Sequence, residues 1–433
     1  YKTLVLDYRA GRYTLRLQSE NQAPFTSSRA ATSVEWRIRA YQGDWRTGAA
    51  LYRDWMSTAT GAVPLEGQQP GWVRDIRFVA IVGLDMAVIE ALARQVDARQ
   101  TLLYVPAWRR DPYDRNYPDY TADERFPAFV EAAHRLGFRV MPHVNYFGCD
   151  LRHPLYERFK AFQLRSPHSG ELEWWTWPLD LRPGQEPAIK FAYIHPGLKA
   201  WRDLMVERYR GIVEAYHVDA LHLDQTLCMS NHAGGLVEGL SVPQGNRRLH
   251  QDLRAALPQV ALSGEGLDEV TMPHEAFAQR HAAYAVDHVR DTWSDAFIAC
   301  GHPISSFLFL PCTTIYGYLG MSNPAEQGPY NAWRRAYGNW GVIPTFSRPA
   351  AAQVESHEGL AGLLIEEAAF WTRHRVRPDF GGEWTDRTRF RFRGGNGTGA
   401  VIERLEGGGS RLLLREPEGE RELYRYITGV RRY

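Results

Sequence analysis

The sequence predicts an α/β protein built on a (β/α)8 barrel, with a β-rich segment before it and a small β-domain after it. Three observations predict this. From Trp72 onward, short apolar runs alternate with longer amphipathic segments, the pattern of parallel strands each followed by a helix. Eight strand candidates spread over roughly 300 residues suit one closed barrel better than an open doubly wound sheet. The turn after the first strand, GLDMAV, carries neither GxGxxG nor GxxxxGK[ST], so a nucleotide-binding sheet has no support.

The elements follow in order. TLVLDY, RYTLRLQ and SVEWRIRAY alternate apolar and polar residues and read as antiparallel strands, the remnant of a β-domain. GDWRTGAALYRDWM, residues 43–56, reads as a helix with Trp45, Leu51, Tyr52 and Trp55 on its apolar side. A Gly/Pro-rich linker ends this segment, which spans residues 1–71. The barrel is expected over 72–376. Its strands are IRFVAIVG (76–83), TLLYVPAW (101–108), RVMPHVNYF (139–147), ALHLDQ (220–225), VALSGEG (260–266) and SSFLFLP (305–311), with weaker candidates at 282–288 and 340–346. Helices are expected in LDMAVIEALARQVDA, DERFPAFVEAAHRLG, LKAWRDLMVERYRGIVEAYH, NRRLHQDLRAAL, AEQGPYNAWRRAYG and HEGLAGLLIEEAAFWTRH. The long connection between Asp150 and Lys199 belongs on the C-terminal face, because structureless loops of that size are uncommon unless functional. Gly-punctuated alternating runs over 377–433 read as the terminal β-domain.

Composition narrows the function. With 51 Lys+Arg against 50 Asp+Glu in 433 residues, the net charge of +1 gives no electrostatic footprint for nucleic acid and no acidic tail. No apolar run reaches ~18 residues, so no membrane span is expected. The four cysteines, Cys149, Cys228, Cys300 and Cys312, show no CxxC spacing and are expected to be free or buried thiols. Neither metal nor cofactor is expected. The chain starts at Tyr1, which reads as a processed product or fragment, and an extracellular or periplasmic location is compatible with it.

Strand alternation supplies the candidate chemistry. In ALHLDQ, Leu221 and Leu223 suit the helix-facing side, which turns His222 and Asp224 inward. The same rule groups Ala261, Ser263 and Glu265, then Met141, His143 and Asn145, and then Tyr104, Pro106 and Trp108. Three strands therefore end in Asn145, Asp224 and Glu265. Neighbouring strands lie ~4.8 Å apart, so the two carboxylates are expected ~5–6 Å apart, the spacing of retaining glycosidases. One carboxylate would attack the anomeric carbon while the other protonates the leaving oxygen. Substrate contacts are expected from Tyr104, Trp108, Asp111, Tyr113 and Tyr117 around the second strand, from His143, Asn145 and His222, and from Trp175 in the long connection, where aromatic rings can stack on a pyranose.

The succession MPHVNYF, DALHLDQ and ALSGEG resembles the catalytic half-barrel of retaining α-glycosidases, as in the α-amylase superfamily and endo-α-N-acetylgalactosaminidases. That resemblance, over roughly residues 34–270, implies Asp224 as nucleophile, Glu265 as acid/base, and an oligosaccharide, polysaccharide or other glycoside as substrate. Two features differ from the amylase pattern: His222 stands where an Arg precedes the nucleophile, and FLFLPC offers no His-Asp after the seventh strand. Asp287 and Asp291 remain open as an extra carboxylate. Two other readings are a metal-dependent hydrolase using His143, His222 and Asp224, and a carbohydrate-binding barrel without activity. The first lacks HxH on the opening strand and any HExxH.

Overall fold

The computed structural model describes residues 2–26, 30–33, 35–61, 69–177, 188–226, 230–266 and 268–280. Beyond these it describes 286–287, 292–293, 304–317, 342–343, 345–373, 382–384, 389–393, 399–405, 410–416 and 419–426. The chain opens with an antiparallel hairpin, β1 (Lys2–Arg9) and β2 (Arg12–Ser19), in which Leu4, Leu6 and Tyr8 face Leu17, Leu15 and Tyr13. The third strand expected from SVEWRIRAY does not form over 35–41. Helix α1 (Trp45–Thr60) starts where Asp44 accepts a hydrogen bond from the Arg46 N–H. Its buried side is Ala49, Met56 and Thr60, whereas Leu51, Tyr52 and Trp55 stay exposed, so the apolar stripe assigned from sequence is displaced around the helix.

Eight parallel strand positions then make the barrel. They are β3 (Phe78–Ile81), β4 (Thr101–Val105), β5 (Arg139–Asn145), β9 (Ala220–Asp224), β10 (Ala261–Glu265), β11 (Phe277–Arg280), β14 (Thr314–Gly317) and a last strand in two pieces, β15 (Val342–Ile343) and β16 (Thr345–Ser347). Each pairs in parallel with the next; β14 pairs with β15, and β16 returns to β3. Strands β6 (Gly148–Cys149), β7 (Trp174–Trp177) and β8 (Ala188–Tyr193) form a separate antiparallel sheet within the long connection, immediately beyond the C-terminal end of β5. Strands β12 (Val286–Asp287) and β13 (Thr292–Trp293) form a small ribbon. A five-stranded antiparallel meander closes the chain: β17 (Gly382–Trp384), β18 (Arg389–Arg393), β19 (Gly399–Arg404), β20 (Ser410–Glu416) and β21 (Gly419–Tyr426).

Two strand assignments need correction. Residues 304–309 of the apolar FLFL run are helical, and the seventh strand is Thr314–Gly317. A continuous apolar run has no period, so it fits a buried helix as well as a strand. The sixth strand is Phe277–Arg280 rather than a segment within 282–288, of which Val286–Asp287 lies in the ribbon. The helix expected over 325–338 lies outside the described residues.

The core divides by strand parity. Phe78, Ala80, Leu103, Val105, Val140, Val144, Leu221, Leu223 and Leu262 join the cluster beneath the helices. Val79, Ile81, Leu102, Tyr104, Met141, Ala220, Ala261, Phe277, Tyr316 and Ile343 fill the barrel interior. The helices are held at their ends as well as by packing. Asp85 caps α2 (Met86–Gln95) by accepting from the Ala87 and Val88 N–H groups. Gly137, at φ 99°, ends α3 (Phe126–Leu136). On the outer side of β10, a Cβ at Gly264 would meet the Glu275 carboxyl group at 2.1 Å. Glu275 is fully buried there with His250, 3.2 Å from its Nε2. Gly264→Ala is therefore expected to cost about 3 kcal/mol or more through overpacking against a polar group that cannot retreat into water. A thermal unfolding midpoint within a degree of the parent would contradict this packing.

Candidate active site

Strand register assembles the mouth. His143 pairs with His222, and Asn145 with Asp224, across β5 and β9. Ser263 pairs with His222 across β9 and β10, so the same register carries Glu265 beside Asp224. Each of Asn145, Asp224 and Glu265 is the last residue of its strand, and all three are buried. Asp224 and Glu265 stand at neighbouring strand ends, close enough for the charge of Glu265 to act on Asp224.

Each member is held from behind. The Asn145 Nδ2 donates to Asp224 Oδ2 at 3.2 Å, while its Oδ1 accepts from the Gly148 N–H at 2.8 Å. Gly148 admits no side chain, because a Cβ there would meet Phe191 at 2.6 Å and Asn145 Oδ1 at 2.8 Å. The first turn of the long connection therefore fixes the asparagine that touches Asp224. Glu265 Oε2 accepts from the Gln225 N–H at 2.9 Å, and the Thr226 hydroxyl donates to the Glu265 carbonyl at 2.8 Å. Gln225 reaches this position with φ 65°, in the left-handed region. The turn after Asp224 thus grips Glu265.

Two histidines flank the pair. The Tyr104 hydroxyl lies 2.8 Å from His143 Nδ1, and Ser263 Oγ and the Tyr316 hydroxyl each lie 3.0 Å from His222 Nδ1. His143 Nε2 is buried without a hydrogen-bond partner, 3.8 Å from Asp224 Oδ2. Burial first, and then the neighbouring His222 and Arg109, push the His143 pKa well below its usual value, so its ring is neutral at pH 7. Burial raises the Asp224 pKa well above the usual carboxylate range, and the charge of Glu265 and then that of Asp114 add to the rise. The pair holds a proton at pH values where isolated carboxylates hold none.

Of the residues anticipated around the second strand, Tyr104 faces the barrel interior and touches His143. Trp108 and Tyr117 require correction. Strand β4 ends at Val105, so alternation no longer governs residue 108. Trp108 is fully buried in the helix-side cluster, with Nε1 donating to the His143 carbonyl at 2.7 Å, and Tyr117 is fully buried beneath the Arg109 guanidinium. Neither offers a face to a sugar. Asp111 accepts from Asn116 within its own loop. Tyr113 lies against the His143 ring, with centroids 4.8 Å apart. The residue that sequence reasoning passed over is Asp114, buried and left-handed at φ 59°, close enough for its charge to act on Asp224. Trp175 donates Nε1–H to Asp114 Oδ2 at 2.8 Å, tying the inserted sheet to the site. Trp175→Phe removes that donor from a buried oxygen, at an expected cost of about 1–3 kcal/mol. A thermal melt reads this directly, and an unchanged midpoint would contradict it. Asp287 lies in the ribbon, and Asp291 lies outside the described residues.

A nearly closed parallel barrel with an inserted antiparallel sheet and buried acidic groups at strand ends defines the architecture. The chain belongs to the family described as a domain of unknown function, DUF6259, whose model matches residues 31–284. No curated protein matches the sequence. Three solved structures share the fold. An α-N-acetylgalactosaminidase from Bifidobacterium bifidum is 13% identical with TM-score 0.58, over 83% of this chain and 62% of that one. An α-galactosidase from Thermus thermophilus is 14% identical with TM-score 0.52, over 78% and 68%. A variant α-galactosidase from Geobacillus stearothermophilus is 11% identical with TM-score 0.51, over 87% and 55%. The chain thus spans 62% of the length of the first of these. At such identities the likeness establishes the fold; it lends no support to the α-amylase part of the resemblance.

Proposed function

We propose that the protein is a retaining glycoside hydrolase acting on α-linked substrates, with Asp224 as nucleophile and Glu265 as acid/base. The observation that carries this reading is the placement of two buried carboxyl groups, Asp224 and Glu265, at adjacent strand ends on the C-terminal face. That is the face on which barrel enzymes place their chemistry. A retaining mechanism needs one carboxylate ionised and one protonated, and burial beside the charge of Glu265, which raises the Asp224 pKa, disfavours ionising both at once. In the first step Asp224 attacks the anomeric carbon while Glu265 delivers the proton to the departing oxygen. In the second, Glu265 takes a proton from water, which attacks the glycosyl ester and regenerates Asp224.

The anomeric carbon would sit between the two carboxyl groups, which retaining enzymes hold ~5–5.5 Å apart. The Asn145 amide on Asp224 Oδ2 and the Gln225 N–H on Glu265 Oε2 keep each group aimed. Neutral His143 lines the same wall beside His222 and suits a sugar hydroxyl better than a charged substrate. The α-N-acetylgalactosaminidase and α-galactosidase among the structural neighbours make α-galactosides and α-N-acetylgalactosaminides the first substrates to assay. The test is hydrolysis of paired α- and β-linked nitrophenyl glycosides of galactose, N-acetylgalactosamine and glucose. Turnover confined to the α series is expected; turnover confined to the β series would overturn the linkage assignment.

A further inference from the structure

We propose that His143, His222 and Asp224 form a binding site for a borderline transition-metal ion such as Zn²⁺ or Co²⁺, and that the ion inhibits by occupying the carboxylate needed for attack. One ring nitrogen of each histidine and one oxygen of Asp224 lie within 4.8 Å of one another, all three residues being buried. The histidines are register partners on adjacent parallel strands, so the backbone sets their separation.

The second, independent observation is the orphaned His143 Nε2, on a ring 1% exposed, which points at Asp224 Oδ2 from 3.8 Å with no hydrogen-bond partner. A buried imidazole nitrogen left in this state costs free energy that a ligand would recover. The outer nitrogens are already engaged as a metal site requires. Tyr104 holds Nδ1 of His143, which directs ligation there through Nε2, while Ser263 and Tyr316 position the His222 ring. Around tetrahedral zinc with bonds of ~2.0–2.1 Å, ligand atoms sit roughly 3.3 Å apart, so closure takes less than about 1 Å of movement per side chain. Two imidazoles and one carboxylate favour zinc, cobalt, nickel or copper over the oxygen-seeking calcium and magnesium. Three protein ligands leave a further position for water.

The ion site needs only the ring nitrogens and one oxygen, whereas its inhibitory role rests on the glycosidase reading. The test titrates Co²⁺ into the chelator-stripped full chain and reads the visible absorption of the bound ion. One ion per chain is expected. Binding should weaken by ~100-fold or more in His143→Ala and in Asp224→Asn, and remain unchanged in His168→Gln, whose histidine is exposed. Asp224→Asn preserves the shape of the site, so it decides the matter if His143→Ala unfolds. No saturable band, or equal affinity in Asp224→Asn, would overturn the site. Zn²⁺ should inhibit the turnover of an α-glycoside and a chelator should restore it; a chelator that abolishes turnover would overturn the inhibitory role. A chain that binds Co²⁺ but hydrolyses no glycoside would keep the site and refute only the function proposed above.

Discussion

Asp224→Asn is expected to lower the hydrolysis of an α-glycoside by ~1,000-fold or more while raising thermal stability at neutral pH. The first half follows from the loss of the attacking oxygen's charge, for which a carboxamide of the same shape is no substitute. The second half follows from linkage. The Asp224 pKa in the folded protein lies well above its ordinary 3.8, because the group is buried beside Glu265. The folded chain therefore holds this proton to higher pH than the unfolded chain does. Stability is lost as pH rises from about 4 toward the folded pKa, and the full cost applies above it. An Asn has no proton to hold. It can still accept from Asn145 Nδ2, so that hydrogen bond survives. The gain at pH 7 is expected to be on the order of 1–2 kcal/mol and to vanish below about pH 4. Melting curves of parent and variant at pH 4 and pH 7 measure it. A variant less stable than the parent at pH 7 would mean that Asp224 is ionised without strain in the free protein.

Glu265→Gln separates the two steps. The amide cannot protonate a departing alkoxide, so α-glycosides with sugar leaving groups should slow by about 100- to 10,000-fold. Nitrophenolate leaves without that help, so an aryl glycoside should still form the glycosyl ester and release an initial burst. The ester then turns over slowly, because the general base for water is also gone. Added azide needs no base and should accelerate the second step, yielding the glycosyl azide with retained configuration. Structural damage alone would slow both substrate types equally and leave azide without effect. The Gln225 N–H, which meets Glu265 Oε2 at 2.9 Å, can meet the amide oxygen of the substituted side chain in the same way, so the variant should fold.

The parts of the molecule that were legible in the sequence share one physical property: period-two alternation on a strand with one face in the barrel and the other beneath helices. Leu221 and Leu223 opposite His222 and Asp224 state that division, and the core clusters divide along the same line. Asn145, Asp224 and Glu265 were therefore placed at strand ends by pattern alone. Alternation fails where strands stop. Trp108 is three residues past the end of β4 and turns into the helix-side core, and Tyr117 does so within the loop that Arg109 organises through its hydrogen bonds to the carbonyls of Arg115 and Asp119. Asp114 gave no signal, because its role comes from a left-handed turn and a partner, Trp175, that lies 61 residues away. Tyr316 was out of reach for another reason. The aperiodic FLFL run drew the seventh strand away from Thr314–Gly317, although Thr, Ile and Tyr are the better strand formers.

The most direct test of the central claim is covalent trapping. A fluorinated α-galactosyl or α-N-acetylgalactosaminyl fluoride, whichever parent sugar the protein hydrolyses, slows release of the ester enough for intact-mass measurement, and peptide mapping then locates the adduct. The expected result is one glycosyl unit per chain, bonded to Asp224 and absent from Asp224→Asn. An adduct on another residue, or a hydrolysis product released with inverted anomeric configuration, would contradict it.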